Sequence, residues 1–288
     1  MDFLEDLRKI LINFFERNGL KYTKSAEAHD LAIEFFNIQL KFIYPVHRKV
    51  HISKKIPEVH LPPEYRTILY QIKEEFEIGC DVNPHLSTRI ENAKRKDFLL
   101  YDWAIYHLHL SNKKKNKKDY FYKRSGFLLF ILVTNSDVYF IDIQKHNEKD
   151  VWTKRDYIRI IKENWPELLE RHELKGFRLE RTFSNEQIQQ LREAGVTVIT
   201  EVDGKIYAPP GGGITTAGTN IKHTFQADDL FIRIGRAKEW IELNTKELLK
   251  DIEQKTGKKV TSPDSHLTIE NNWFCIKELS SGYIINLY

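Results

Sequence analysis

One run of residues limits the fold of this chain more than any other. FLLFILV (Phe127 to Val133) and VYFIDI (Val138 to Ile143) are rich in β-branched and aromatic residues, and TNSD (Thr134 to Asp137) between them supplies turn formers. The spacing predicts a β-hairpin. FLLFILV is apolar on both of its faces, so it belongs at the centre of a sheet covered on both sides. Upstream, WAIYHLHL (Trp103 to Leu110) alternates. As a strand it puts Tyr106, Leu108 and Leu110 on one face and His107 with His109 on the other. The lysine run Lys113 to Lys118 then becomes the loop joining this strand to the hairpin.

A chain of 288 residues is long enough for one large domain or two to three small ones. The expectation is an α+β protein with a helical N-terminal region (1–95), a central antiparallel sheet (96–182) and a C-terminal α/β region (183–288). With 41% apolar and 30% charged residues the composition is that of a globular protein. No apolar run reaches the roughly 18 residues of a membrane helix, and the acidic, amphipathic start MDFLEDLRK is unlike a signal peptide. Two cysteines, Cys80 and Cys275, are too few for a disulfide framework or a cysteine zinc site, which points to a reducing cytoplasm. The formal charge is only +4, but it is clustered, and clusters decide the response to a phosphate partner.

In chain order, Phe3, Leu7, Leu11, Phe14 and Phe15 recur at helical spacing and Asn18-Gly19 stops them. Ser25 can cap a second helix carrying Leu31, Phe35 and Leu40. His47 to Lys55 reads as an exposed strand or basic strap, followed by a helix from Glu64 to Ile78. Lys154 to Arg171 is helical with a fresh start at Pro166. Phe177 to Phe183 reads as a strand. Ser184 and Gln187 form a capping box, and Val196 to Val202 pairs with Lys205 to Tyr207 across Asp203-Gly204. FIRIG (Phe231 to Gly235) looks strand-like, and with Arg233 and Arg236 suggests a second basic sheet. A helix from Ala237 to Lys255 and two closing strands around Trp273 and Tyr283 complete the chain. The stretch Pro209 to Thr219 has glycine and hydroxyl groups enough to cradle a phosphate. It lacks a Walker ending, and a crossing loop is the better reading.

The candidate chemistry gathers in the central sheet. His107 and His109 stand roughly 6–7 Å apart on one strand face. If the lysine loop closes an antiparallel pair, Tyr122 to Arg124 lie opposite them, and His146 ends the hairpin near the start of FLLFILV. Cleavage of an RNA phosphodiester by its own 2′-hydroxyl needs a base, an acid and a cation. Two histidines can divide the proton transfers, and a guanidinium supplies fixed charge without a metal or other cofactor. His107, Arg124 and His146 are therefore the expected catalytic group, and His109, Lys123, Lys145, Lys114 and Lys117 the expected substrate contacts. RNA is the expected partner, gripped in a salt-sensitive way, with no membrane involved.

The order of a strand, a basic loop, an arginine opening a central strand, a tight turn and a strand ending in a basic residue resembles the RelE-type ribonuclease toxins. The resemblance spans about fifty residues, from Asp102 to Trp152, and only Arg124 and His146 with Lys145 occupy comparable places. It implies metal-independent cleavage of messenger RNA, a role as a toxin or antiviral factor, and a protein antitoxin or inhibitor as partner.

Two other readings stand beside this one. His107 and His109 with His146, Asp142 or Asp102 would make a metal site for phosphoester hydrolysis, although the basic surroundings disfavour a cation. Alternatively, the strap and lysine loop, interleaved with Tyr44, Tyr120, Phe121 and Tyr122, would make a non-catalytic nucleic-acid-binding module. The plainest reading gives no site at all. The histidines face solvent or satisfy local hydrogen bonds, the lysines are solvated, and Arg124 pairs with Asp142, Asp119 or Glu148.

Overall fold

The computed structural model describes residues 1–271 and 273–287. The chain opens with α1 (Phe3–Arg17) and α2 (Ala28–Lys41), then β1 (Lys49–Ile52), α3 (Pro63–Ile78) and α4 (Phe98–Trp103). A meander follows of β2 (Ile105–His109), β3 (Phe127–Val133) and β4 (Asp137–Lys145). Then come α5 (Asp156–Asn164), α6 (Glu167–Glu170), α7 (Asn185–Glu193), β5 (Thr200–Val202) and β6 (Lys205–Tyr207). The last elements are α8 (Ile221–Leu243), α9 (Thr245–Thr256), β7 (Ser265–Glu270), β8 (Trp273–Glu278) and β9 (Ile284–Asn286). This is an α+β fold. None of its described helices is long and apolar enough to cross a membrane.

The chain divides into two units. One comprises 1–39, 91–94 and 223–288, and the other 40–90 and 95–222. In the first, α1 buries Phe3, Leu7, Leu11 and Phe15 as its period requires, and Asp2 caps its N-terminus through the Glu5 N–H. The Asp6 carboxylate on that helix accepts the Leu267 N–H of β7 at 3.1 Å. FIRIG is not a strand. It lies inside α8, where Ala227, Leu230, Ile234 and Ile241 form the buried face, so the second basic sheet expected there does not exist. Five residues of alternation fit either period, and the longer helical stripe wins. Among the described residues the chain closes on three strands rather than two, the addition being β7.

The second unit is built on a four-stranded sheet of order β1-β4-β3-β2. The β2-β3-β4 meander is antiparallel, and β1 joins β4 in parallel, Val50 beside Val138. As the two-sided apolar pattern demands, β3 is central. Leu128, Phe130 and Leu132 face a core made with α5, α6 and the β5-β6 hairpin, while Leu129 and Ile131 face one made with α3. At Phe130 the ladder slips. Phe130 opposes Asp142 and Ile131 opposes Phe140, leaving Ile141 as the extra residue of a β-bulge.

Several expectations from the sequence are revised in this unit. Trp103 does not begin the strand, because it closes α4, and Ala104 in a left-handed conformation (φ 56°) turns the chain into β2. Phe177 to Phe183 forms no strand. It pairs with no strand among the described residues, and Phe177 is exposed. The Ser184–Gln187 capping box of α7 is present in both directions. The glycine stretch is a clamp rather than a phosphate cradle. The Gly211 N–H donates to the Asp102 carbonyl at 2.8 Å and the Gly213 N–H to the Tyr101 carbonyl at 3.0 Å. Those carbonyls belong to the last turn of α4, where helix geometry leaves them without an intrahelical donor, and the Asn220 amide adds a second bond to the Tyr101 carbonyl at 3.3 Å. A Cβ at Gly211 would fall 2.3 Å from the Tyr101 oxygen, so only glycine fits there.

Candidate functional site

The outer strand β2 carries His107 and His109 on the same face as Ile105, opposite Phe130 and Leu128 of β3. Tyr122 to Arg124 are not their strand partners. That segment instead folds back on the lysine loop through a Lys114–Tyr122 bridge and the Lys123 N–H to Lys113 carbonyl bond. The next residue closes the gap to the strand, since the Ser125 N–H donates to His109 Nδ1 at 3.3 Å. At the end of β4 the His146 N–H bonds the Gly126 carbonyl at 2.9 Å. Loop and hairpin end thereby converge on the start of β3.

The result is a cavity of about 360 Å³, within the range of small-ligand sites, lined among others by His107, His109, Arg124, His146 and Trp152. An adjoining cavity of about 420 Å³ shares Arg124 and His146 and adds Ser125 to Phe127, Lys145 and Asn147. Arg124 and His146 therefore stand where the two meet. The His109 and His146 rings stack at 5.7 Å, and the Trp152 ring meets His107 edge-on at 4.8 Å and His146 at 6.3 Å.

Electrostatics separate the histidines. His109 is 2% exposed, and burial, helped by the charge of His107, His146 and Arg124 nearby, pushes its pKa down to about 3. His107 is half-buried, with its Nδ1 sealed from water and without a partner among the described residues. Burial lowers its pKa as well, against the opposing pull of Asp97. Both rings are neutral at neutral pH. His109 is closed off from solvent and accepts the Ser125 N–H, as the hydrogen-bonded form of the plain reading has it, while His107 is only partly exposed. Beneath His109, its carbonyl meets His85 Nδ1 at 3.2 Å, and His85 Nε2 meets Glu75 at 3.0 Å. Burial opposes ionisation of Glu75, but the bonds from His85 and Gln71 outweigh it and hold the carboxyl below its ordinary value.

Arg124 forms no ion pair with any acid among the described residues, and each acid suggested for it is engaged elsewhere. Asp119 accepts the Asn116 N–H, Glu148 lies 3.8 Å from Lys154, and the buried Asp142 accepts from Gln144 and its neighbour's N–H. The metal-ligand trio also fails to assemble, since among the described residues no three His, Cys, Asp or Glu side chains form a group fit for an ion. Asp102 is held by Arg192 at 2.6 Å, both fully buried. Lys145 lines the adjoining cavity, whereas Lys114, Lys117 and Lys123 line neither one.

The sequence reading overlooked a second set of cations. Lys41, Arg89, Arg95 and Lys96 line the His107 cavity, with Asp97 as its acidic residue. Arg95 and Lys96 sit in the run AKRKD directly before α4, a signal passed over because the lysine loop is longer. Trp152 was missed too, although its backbone is fixed by Arg192, whose Nη1 donates to the Trp152 carbonyl at 2.9 Å. No family model matches the chain, and neither a curated protein nor a solved structure shows significant similarity to it.

Proposed function

We propose that this protein cleaves RNA without a metal, using the 2′-hydroxyl of the nucleotide before the scissile bond. One observation carries the reading: His107, Arg124 and His146, far apart in sequence, border one cavity that is ringed by further cations. A neutral histidine in low dielectric suits a general base, and the depressed pKa of His107 keeps it in that form. His107 takes the 2′-hydroxyl proton as the 2′-oxygen attacks phosphorus. The P–O5′ bond breaks, and His146 returns a proton to the departing 5′-oxygen. Arg124 balances charge growing on the phosphoryl oxygens. His109, whose Nδ1 is occupied by the Ser125 N–H, keeps the loop and its arginine in place. Products are a 2′,3′-cyclic phosphate and a 5′-hydroxyl.

The test is a labelled oligoribonucleotide incubated with the protein in excess EDTA. Cyclic-phosphate ends should appear, and His107→Ala or His146→Ala should each slow their formation by about 10²–10⁴-fold. Persistence of cleavage in both variants overturns the reading. Salt-dependent binding with no cleavage by the wild-type chain would point to a nucleic-acid-binding module instead.

A further inference from the structure

The proposed chemistry occupies one end of the His107 cavity and leaves the other unexplained. Lys41, Arg89, Arg95 and Lys96 border the same space, and the first of these is almost entirely buried. Burial lowers the pKa of Arg95, and the charges of Arg89 and Arg124 add to it against the pull of Asp97. Four cations against one carboxylate around a concavity give it a net positive potential that favours an anion. The Arg89 side chain is exposed at the rim, and the Arg89 N–H bonds the Ser87 hydroxyl at 3.3 Å, tying the segment into a tight turn.

We propose that Lys41, Arg89 and Arg95 form a second phosphate subsite, which receives the 5′-phosphate of the nucleotide whose 3′-phosphodiester is cut. This rests on the ribonuclease reading and specifies its substrate. The direction follows from the base. His107 must reach a 2′-hydroxyl, so the nucleoside carrying that hydroxyl occupies the cavity that His107 lines. The scissile phosphate then lies at Arg124 and His146, where the cavities meet, and the leaving nucleoside enters the adjoining one beside Lys145 and Asn147. A nucleoside in the His107 cavity has only its 5′ position left to present to the remaining cations. The enzyme reads a pXpY unit rather than XpY.

The experiment compares UpA with its 5′-phosphorylated form pUpA, and in parallel measures calorimetric binding of the 2′-deoxy analogues, which cannot react. The phosphorylated dinucleotide should be cleaved with about tenfold or greater kcat/KM, and its deoxy analogue should bind about tenfold tighter. Arg89→Ala, a substitution at the exposed rim, should erase both differences, and Arg89→Lys should restore part of them. Cleavage of UpA and pUpA at equal kcat/KM overturns the subsite while leaving the ribonuclease reading intact. If neither is cleaved yet the phosphorylated analogue still binds tenfold tighter in an Arg89-dependent way, the subsite stands and the reaction assigned to the site is wrong. Equal binding without cleavage removes both.

Discussion

Arg192 holds Trp152 by its backbone: the guanidinium on α7 donates to the Trp152 carbonyl at 2.9 Å while its Nε pairs with Asp102 at 2.6 Å. It also lies 4.5 Å above the Trp103 ring. A cation with no exposed surface thus joins α7, the end of α4 and the aromatic wall against which His107 and His146 rest. Burial raises the Asp102 carboxyl and lowers the Arg192 guanidinium, each opposed by the other's charge.

Breaking this pair should cost more than removing it. Asp102→Asn leaves an uncompensated buried guanidinium and should destabilise the fold by about 3–5 kcal/mol. The double change Asp102→Leu with Arg192→Met should cost less than the two single changes added together. Urea unfolding of the four proteins measures the coupling, and strict additivity would contradict it.

Acid should act first through His109. Its pKa is lowered from an ordinary 6.5 to about 3, so below 6.5 the unfolded chain binds a proton that the folded one refuses. Its contribution is complete above 6.5 and drains away as pH falls towards 3. Linkage puts the loss between pH 7 and 5 on the order of 2 kcal/mol. His109→Gln should flatten that part of the stability profile, and an unchanged slope in the variant would assign the pH dependence elsewhere.

The same logic applies to catalysis. Burial lowers the His107 pKa, so its proton-accepting form survives below the usual histidine range. The acid limb of kcat/KM against pH should fall below pH 6.5. An acid limb at or above that value would remove His107 from the role of base.

Lysines of the loop should affect binding without affecting chemistry. Lys114→Ala with Lys117→Ala should weaken single-stranded RNA association evenly across sequences. Each lost phosphate contact should reduce the slope of log K against log salt by about 0.7. Fluorescence titration at several salt concentrations reads both quantities, and an unchanged slope would mean the loop is merely solvated.

What the sequence disclosed about this fold follows from how local each signal was. The β3-β4 hairpin, the Ser184 capping box and α1 each depend on neighbours within a few residues, and each is legible. FIRIG misled because five alternating residues do not define a period, and α8 is fixed by apolar positions on both sides of it. At the site, the strand face shared by His107 and His109 follows from a period of two. Its junction with Arg124 depends on a Ser125 N–H meeting a histidine nitrogen, a contact no spacing encodes. The cations at Lys41 and Arg89 approach through tertiary packing alone, so composition showed their charge and not their destination.

The clamp that Gly211 and Gly213 place on α4 has a bearing on how small this protein could be made. The histidine-bearing strand leaves directly from the helix end that those two amides seal, so its launching angle is set by residues about a hundred positions downstream. Excising Asp102 to Trp152 as a miniature would remove most of α4 together with the two amides that seal its end. The shortest transplantable version has to run on through Lys222, and a fusion or split-protein design should place its cut in the irregular stretch around Phe177, where no ladder is severed.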